Sequence, residues 1–547
     1  MTNTVILFVI LPLLGAGLCL LDKVIRQIPL AKIASIVTLT VCLLLLPAFY
    51  PGTDQSAGFS YIVGGWNPVV GIHQVFDGLA WLSFALVFSV SLLALLFAIA
   101  ENLYTSVFYF FYLVSVAGMA GVILAADLFN MFVCFEILGI AAYILIAYFQ
   151  KGHAVFASFK YLLISSLGMT CMLIGVLILY QQTGNLSLFN ISAYLETQTA
   201  DPLKIRLAGI ALMTGIGVRA AFIPFHTWLP EAHAYAPHPV SALLSGLVIK
   251  ISFLAIWRIV QMLDLVSIQR LLLWIGAATA LGGVMWALAQ TDSKQLLAWH
   301  SISQIGYIVA SFGAGTPLAL AASYAHILNH ALFKSLLFLC IGSVIHVTGE
   351  RNLKRLGNLA SVLPLLAILF FVGACSIAGL PPFNGFISKK LILASLKTST
   401  LIYAALWIAG VGTVASFVKL SAIFRTTPRG KAAGELTTSL PRLAYVPLTL
   451  LAVLCIGTGI WGRAVIAWMF GLLFGTPPPY LSAFYSLSSL INTALTVALG
   501  IALYRGIRHK TGQRITDALR SLHLSLNASL LLLVAGFVLL SLLSLYQ

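Results

Sequence analysis

Glu136, Lys250, Lys334 and Lys389 are ionisable side chains set inside stretches apolar enough to lie in a bilayer, and Arg219, His326 and His330 join them. A charge at mid-bilayer costs roughly 2.5–3.5 kcal/mol on insertion scales, so a chain keeps several of them only where they are used. Burial disfavours the charged form of an ionisable group, and a buried lysine can thereby become a proton carrier. His326, His330 and Lys334 follow one another at i, i+4 and i+8, which in a helix puts them within about 80° of one face and about 12 Å along the axis. The chemistry implied is stepwise proton transfer through hydrocarbon. The H-x-x-x-H spacing also suits zinc, but no carboxylate or thiol beside it completes a site, so no metal is expected. The inert alternative is a pair of histidines bonded to backbone in a packed bundle.

Other charged residues have a weaker claim. Asp292 and Lys294 read as a loop or cap pair with a lesser coupling role. His226, His300 and Lys390 are accessory candidates, the last two as feeders of the path from the cytoplasmic side. Lys160, Arg258 and Lys419 lie near expected helix ends, where long side chains snorkel toward head groups.

The elements that must position these groups are membrane helices. Hydrophobic residues make up 61% of the 547 and charged residues 8%, against about 45–50% and about 25% in soluble domains. Apolar runs of about 20 residues, each long enough to cross the bilayer core, recur about sixteen times. The polar intervals at 51–75, 181–206, 426–442 and 505–524 are too short for a soluble domain. The first run, 5–21, lacks a basic segment before it and a small-residue cleavage site after it, and reads as a retained helix.

Lys and Arg fall unevenly on alternate loops. With the amino terminus outside, only Lys204, Arg206, Arg270, Lys397 and Arg463 face out, while the inward loops hold Arg26, Lys151, Arg351, Lys354, Arg355, Arg429, Lys431 and others. That bias follows the positive-inside rule and puts both termini outside. It also accounts for most of the net charge of +16 without nucleic acid, because the basic residues form no single face and suit anionic lipid. The seven cysteines all lie in apolar runs, none in CxxC spacing, and read as small core residues. Gly457, Gly459 and Gly462 spell a GxGxxG string, yet within a membrane helix it lacks the strand and acidic partner of a dinucleotide site. No cofactor or redox centre is expected.

Two apolar segments are broken by proline beside a cation. One runs from Gly217 through Arg219, Pro224 and His226 to Pro230, and the other from Gly379 through Pro381, Pro382 and Asn384 to Lys389 and Lys390. Discontinuous helices at corresponding places in two halves point to an inverted-repeat transporter whose freed backbone faces a hydrated cavity.

Several ordered motifs carry a resemblance. DLFNMFVCFE at 127–136 resembles helix 5 of the antiporter-like membrane subunits shared by Mrp cation/proton antiporters, membrane-bound (energy-converting) hydrogenases and respiratory complex I, the NADH:quinone oxidoreductase. HTWLPEAH at 226–233 and PVSALLSGLVIK at 239–250 are similar to that family's helices 7 and 8. QTDSKQLLA at 290–298, SISQIG at 301–306 and HILNHALFK at 326–334 are similar to its second half, as is the stretch from Pro381 to Lys389. The resemblance spans residues 60–425. It implies an all-α integral membrane fold with a core of 14 transmembrane helices, built as two inverted repeats with discontinuous helices, plus about two further helices near 481–504 and 526–546. The corresponding divisions are N-terminal helices at 1–100, a first half at 101–265, a second half at 266–425 and C-terminal helices at 426–547. No long amphipathic lateral helix is visible.

The expected function is that of an ion-translocating subunit of a multisubunit complex, moving protons with sodium exchange as a further candidate, through Glu136, Arg219, Lys250, His326, His330, Lys334 and Lys389. The resemblance implies partners among other antiporter-like subunits and a peripheral redox arm, in a bacterial or archaeal cytoplasmic membrane. SALLSG at 241–246 and HSISQIG at 300–306 look closer to the Mrp and hydrogenase types. Where the family carries a lysine on broken helix 7, this chain has Arg219, and a guanidinium cannot release its proton. Two alternatives remain open: a quinone-binding redox component, which the absence of a redox centre disfavours, and a standalone secondary transporter, disfavoured because the polar residues form a row and not one pocket.

Overall fold

A computed structural model describes residues 4–25, 28–52, 58–67, 71–197, 200–263, 266–425, 438–476, 484–522 and 524–545. Arg26, Arg429 and Lys431 lie outside the described residues, as do 426–437 of the third polar interval, 481–483 and 546.

Helices α1 (Leu7–Leu20) and α2 (Leu30–Leu45) lead to an antiparallel hairpin of β1 (Phe59–Ile62) and β2 (His73–Phe76), with Phe59 opposite Phe76. Next come α3 (Gly78–Glu101), α4 (Ser106–Leu124), α5 (Leu128–Ile146), α6 (Gly152–Thr183) and the short α7 (Leu188–Glu196). The pair α8 (Pro202–Ala220) and α9 (Leu229–Tyr235) is followed by α10 (His238–Leu243), which passes through a π-turn at Leu244–Val248 into α11 (Ile249–Leu263). The second half holds α12 (Val266–Ala289), α13 (Ser293–Gly313), α14 (Pro317–Thr348), α15 (Leu359–Val362), α16 (Pro364–Ala378), α17 (Asn384–Ser395) and α18 (Thr400–Arg425). After it come α19 (Tyr445–Ile460), α20 (Gly462–Phe474), α21 (Leu487–Ile507), α22 (Lys510–Ser521) and α23 (Leu526–Leu545).

Among the described residues, 12 helices are long and apolar enough to cross a membrane, and α1, α16 and α20 are shorter apolar helices. The protein is a helical integral membrane protein. The hairpin occupies an interval the sequence leaves as loop, because two strands of four residues give too little alternation to register. The 505–524 interval holds α22, a helix of 12 residues between α21 and α23.

Several helices start at an aspartate whose side chain accepts a backbone N–H: Asp77 from Ala80, Asp127 from Asn130 and Asp292 from Gln295. Between helices in lipid no hydrophobic force acts, so small residues decide how closely backbones approach. A methyl at Gly306 would fall on the backbone of Ala280, and one at Gly283 on that of Ser303, so α12 and α13 pack backbone against backbone.

The helix ends gather on two faces. Asp77 ahead of α3 pairs with Arg258 of α11 at 3.2 Å, and Gln269 near the start of α12 lies against Gly315 after α13. With the β-hairpin these mark one face, the hairpin face. On the opposite, basic face, Asp292 pairs with Arg351 at 2.9 Å, and the Arg351 guanidinium lies 5.0 Å from the centre of the Tyr235 ring. Lys160, Arg258 and Lys419 do not snorkel. Lys160 pairs with Glu231 at 3.4 Å with its side chain buried, Arg258 takes Asp77, and Lys419 donates to the Leu288 and Gln290 carbonyls at 2.8 and 2.6 Å. Each of these cations finds an oxygen acceptor within the protein.

Candidate ion path

Both proline-bearing segments interrupt a helix. The first stops at Ala220, Ala221 turns left-handed at φ 58°, and helix resumes at Leu229. The second stops at Ala378, Gly379 turns left-handed at φ 77°, and helix resumes at Asn384. Proline has no N–H to donate and the chain leaves helical geometry here, so carbonyls at each break lose their partners. The Val218 carbonyl receives the Trp228 indole N–H at 2.8 Å, and the Ile377 carbonyl receives Lys389 Nζ at 2.7 Å. An ammonium at the negative end of α16 also suits the helix dipole. The two cations are placed differently: Arg219 precedes its break, and Lys389 follows its own.

In the first half Arg219 is 2% exposed. Its Nη2 donates to Glu136 Oε1 at 2.9 Å and its Nη1 to the Tyr161 hydroxyl at 3.4 Å. Gly139, one turn along α5 from Glu136, leaves the space the guanidinium fills, since a methyl there would collide with both terminal nitrogens. Tyr161 stacks on Trp228 with ring centres 3.7 Å apart, tying α6 to the first break.

The lysines of the row are held otherwise. Lys250 donates to the Ser245 carbonyl within the π-turn, whose wider winding shifts that carbonyl from its usual partner. Ser245 Oγ meets Ser301 Oγ of α13 at 2.8 Å. Lys334 donates to the Leu297 carbonyl at 2.6 Å, and Lys389, besides Ile377, lies 5.0 Å from the centre of the Tyr307 ring. Among the described residues none of the three makes an ion pair; each rests on a neutral carbonyl. His326 Nδ1 meets Ser388 Oγ at 2.9 Å and its Nε2 meets Gln304 Oε1 at 3.2 Å, while its ring stacks on His330 at 5.8 Å. His330 has neither nitrogen bonded among the described residues. The charges of Lys250, Lys334 and Lys389 act on both histidines or on one another, which places the five groups in one electrostatic cluster.

The accessory candidates divide. Asp292 is the cap of α13, but its ion partner is Arg351; Lys294 donates instead to the Ala236 carbonyl after α9, at 2.7 Å. The two residues take different partners, Arg351 for Asp292 and the Ala236 carbonyl for Lys294, and do not bond each other. His300 lies two turns into α13, packed on Phe417, with neither nitrogen bonded among the described residues. Lys390 does not share its side: it donates to the Phe484 carbonyl at 2.6 Å and lies with Lys397 toward the hairpin face, because α17 runs outward from the break to that face. His226 sits at the first break with its ring 5.4 Å from that of Trp299.

His233 is the residue that sequence reasoning misses. It is fully buried, neither nitrogen is bonded among the described residues, its ring lies 6.1 Å from Trp228, and it feels the charges of Lys250, Lys334 and Lys294. It therefore stands between the Arg219 end of the path and the lysines. The available signal was its place in the short helix that resumes after the first break.

A profile described as NADH:quinone oxidoreductase/Mrp antiporter, transmembrane, matches residues 125–426. The chain belongs to that family. All seven row residues lie inside the matched segment, while α21–α23 lie outside it. This family member is 33% identical over 431 residues to NADH-quinone oxidoreductase subunit N of Desulforudis audaxviator, covering 74% of this chain and 85% of that one. It is 33% identical over 435 residues to a Na(+)/H(+) antiporter subunit of Alkalihalophilus pseudofirmus, covering 77% and 86%. Among solved structures, a chain of the Mrp complex from Dietzia sp. superposes with a TM-score of 0.78 at 27% identity, over 89% of this chain and 99% of that one.

In this antiporter-family chain each break meets a cavity, and the two open to opposite faces. One of about 530 Å³ reaches Ile223, His226 and Thr227 of the first break from the basic face, past Lys160, Glu231 and Arg520. The other, of about 310 Å³, reaches Ala378, Gly379 and Lys389 of the second break from the hairpin face, past Lys390 and Lys397.

Proposed function

We propose that this chain is the ion-translocating, antiporter-like subunit of a larger membrane complex, and that protons cross it from one break to the other. The observation that carries the proposal is that Lys250, Lys334 and Lys389 are buried against neutral carbonyls, with no carboxylate among the described residues to fix their charge. An ammonium paired with a carboxylate is held charged, whereas one resting on a carbonyl can give up its proton without leaving a bare buried anion. A proton would enter by the basic-face cavity, pass the fixed Glu136–Arg219 pair and His233, move along Lys250, Lys334, His330 and His326, and leave from Lys389. The unbonded ring nitrogens of His233 and His330 are where water would be held between steps.

The halves at 101–265 and 266–425 would act as inverted repeats, flanked by 1–100 and 426–547, with the hairpin face and both termini outside and the basic face in the cytoplasm. The names of the relatives make sodium a candidate for exchange, and leave the driving force to partner subunits. Glu136 itself supports a partner. Its side chain is 34% exposed on a face of α5 that otherwise shows Val133, Ile137 and Ile140, and a carboxylate edge left to lipid would be costly. A neighbouring subunit covering α5 removes that cost.

The test is proton movement by the whole complex in membrane vesicles, read with a pH-sensitive dye, comparing wild type with Lys334→Ala and Lys389→Ala. Both variants should assemble normally and lose proton movement. An assembled Lys334→Ala complex that transports at the wild-type rate would overturn the relay.

A further inference from the structure

The second cavity has a wall that lies outside the segment matched by the family profile. Helix α21, outside the matched segment, lies along α18, where Trp407 Nε1 donates to Asn492 Oδ1 at 3.1 Å and a methyl at Gly500 would fall on Val414. Ser489, Asn492, Thr493 and Thr496 recur at the helical period on the side of α21 toward the protein, and all line the cavity. On the other side Ile491, Leu495 and Leu499 are exposed and apolar, as a lipid-facing surface requires. Ser and Thr also occur at dry helix contacts in membranes, but here the row lines a cavity that reaches the buried Lys389, where polar side chains and an ionisable group together suit water. Thr493 and Thr496 return their hydroxyl protons to the Ser489 and Asn492 carbonyls of their own helix at 2.9 and 2.8 Å, which leaves both oxygens free to accept from water. The volume, about 310 Å³, holds several waters.

We propose that α21 is the outer wall of a hydrated vestibule joining Lys389 to the hairpin face, with Asn492, Thr493 and Thr496 as its lining. Hydrated protons, or small monovalent cations exchanged for them, would pass along this stripe. The inference rests on the relay proposed above only for what flows; the vestibule itself rests on the cavity and the stripe.

The experiment uses the whole complex in vesicles of known orientation, with single cysteines introduced as Thr496→Cys, Thr493→Cys and Leu495→Cys and the unmodified chain as background. An impermeant cationic thiol reagent is applied from each side. Thr496→Cys and Thr493→Cys should react from the hairpin face on the order of tenfold or more faster than Leu495→Cys, because the thiolate is the reactive form and forms only where water reaches. Modification should also slow proton movement, and Asn492→Leu should slow it without changing assembly. If both stripe positions react no faster than Leu495→Cys, or only from the basic face, the vestibule is overturned. The two proposals separate in the double variant Lys389→Ala with Thr496→Cys. Unchanged labelling with lost transport supports both; unchanged labelling with intact transport overturns the relay and leaves the vestibule standing.

Discussion

Arg219 Nη2 donates to Glu136 Oε1 at 2.9 Å, joining a guanidinium that is 2% exposed to a carboxylate whose side chain is 34% exposed. The guanidinium is thus the buried member and has no proton to give, while the carboxylate keeps an edge toward the protein's surface. At the first break the cation is a guanidinium paired with a carboxylate; at the second it is Lys389, whose acceptor is a neutral carbonyl, so two broken helices hold cations of different kinds.

Removing either member of the pair should be costly. Glu136→Gln leaves a buried cation uncompensated, a loss of about 3–5 kcal/mol for a broken buried pair, discounted here because the glutamate is partly exposed. Proton movement should fall severely in both Glu136→Gln and Arg219→Gln. Arg219→Lys should keep much of it at neutral pH and lose it as pH rises, since an ammonium can release its proton and a guanidinium cannot. Dye-monitored transport over a pH series decides this, and an Arg219→Gln complex with wild-type transport would show that the pair is not needed.

At the second break the same chemistry runs the other way. Lys389 caps the Ile377 carbonyl, and Lys389→Arg preserves both the charge and a donor for that carbonyl. Assembly and thermal stability should therefore stay near wild type while proton movement is lost. Transport by Lys389→Arg at the native rate would make Lys389 a structural cap only.

How much of this was legible varies with the kind of signal. The breaks at Pro224 and Pro381 were, because there proline stands near charged and polar side chains within an apolar run, whereas Pro12, among apolar neighbours only, stays inside α1. So were Lys250, Lys334 and Lys389, since a charge in an apolar run is conspicuous. The acceptors were not: the Ser245, Leu297 and Ile377 carbonyls are backbone, identical at every residue, and only the π-turn and the break set two of them free. Asp292 was legible as the cap of α13, but its partner Arg351 was not, nor was the Phe484 carbonyl that Lys390 meets, because both lie far along the chain and only the fold brings them together. The polar stripe of α21 was hidden among ordinary serines and threonines, which many membrane helices carry bonded to their own backbone.

Close packing of α12 on α13 gives a prediction independent of transport. A methyl at Gly306 would meet the Ala280 backbone, which cannot yield as a flexible side chain would. Gly306→Val should destabilise the chain by about 1–3 kcal/mol or more, the usual cost of overpacking, seen as a lower melting temperature of the detergent-solubilised complex. Gly410→Ala, where the nearest neighbour is the Tyr307 hydroxyl at 3.5 Å, should change little. Equal melting of the two variants would refute the backbone-to-backbone contact.

His233 offers the sharpest contrast with a residue of the same type close by. His226, seven positions earlier, lines the basic-face cavity, where bulk water can replace its function. His233 is fully buried between Trp228 and the field of Lys250 and Lys334, which makes it the ionisable side chain placed to link the Arg219 end to the lysines. If protons pass from one half to the other, His233→Ala should cut transport far more than His226→Ala, with both complexes assembled. The substitution removes a buried ring that has neither nitrogen bonded among the described residues, so stability should suffer chiefly the loss of its packing on Trp228 and Phe338. His233→Gln, which keeps hydrogen-bonding atoms but cannot carry a proton at any ambient pH, separates the roles. Transport lost in both His233→Ala and His233→Gln supports a carrier. Transport retained in His233→Gln makes the ring a water-positioning group and returns the link between the halves to water alone.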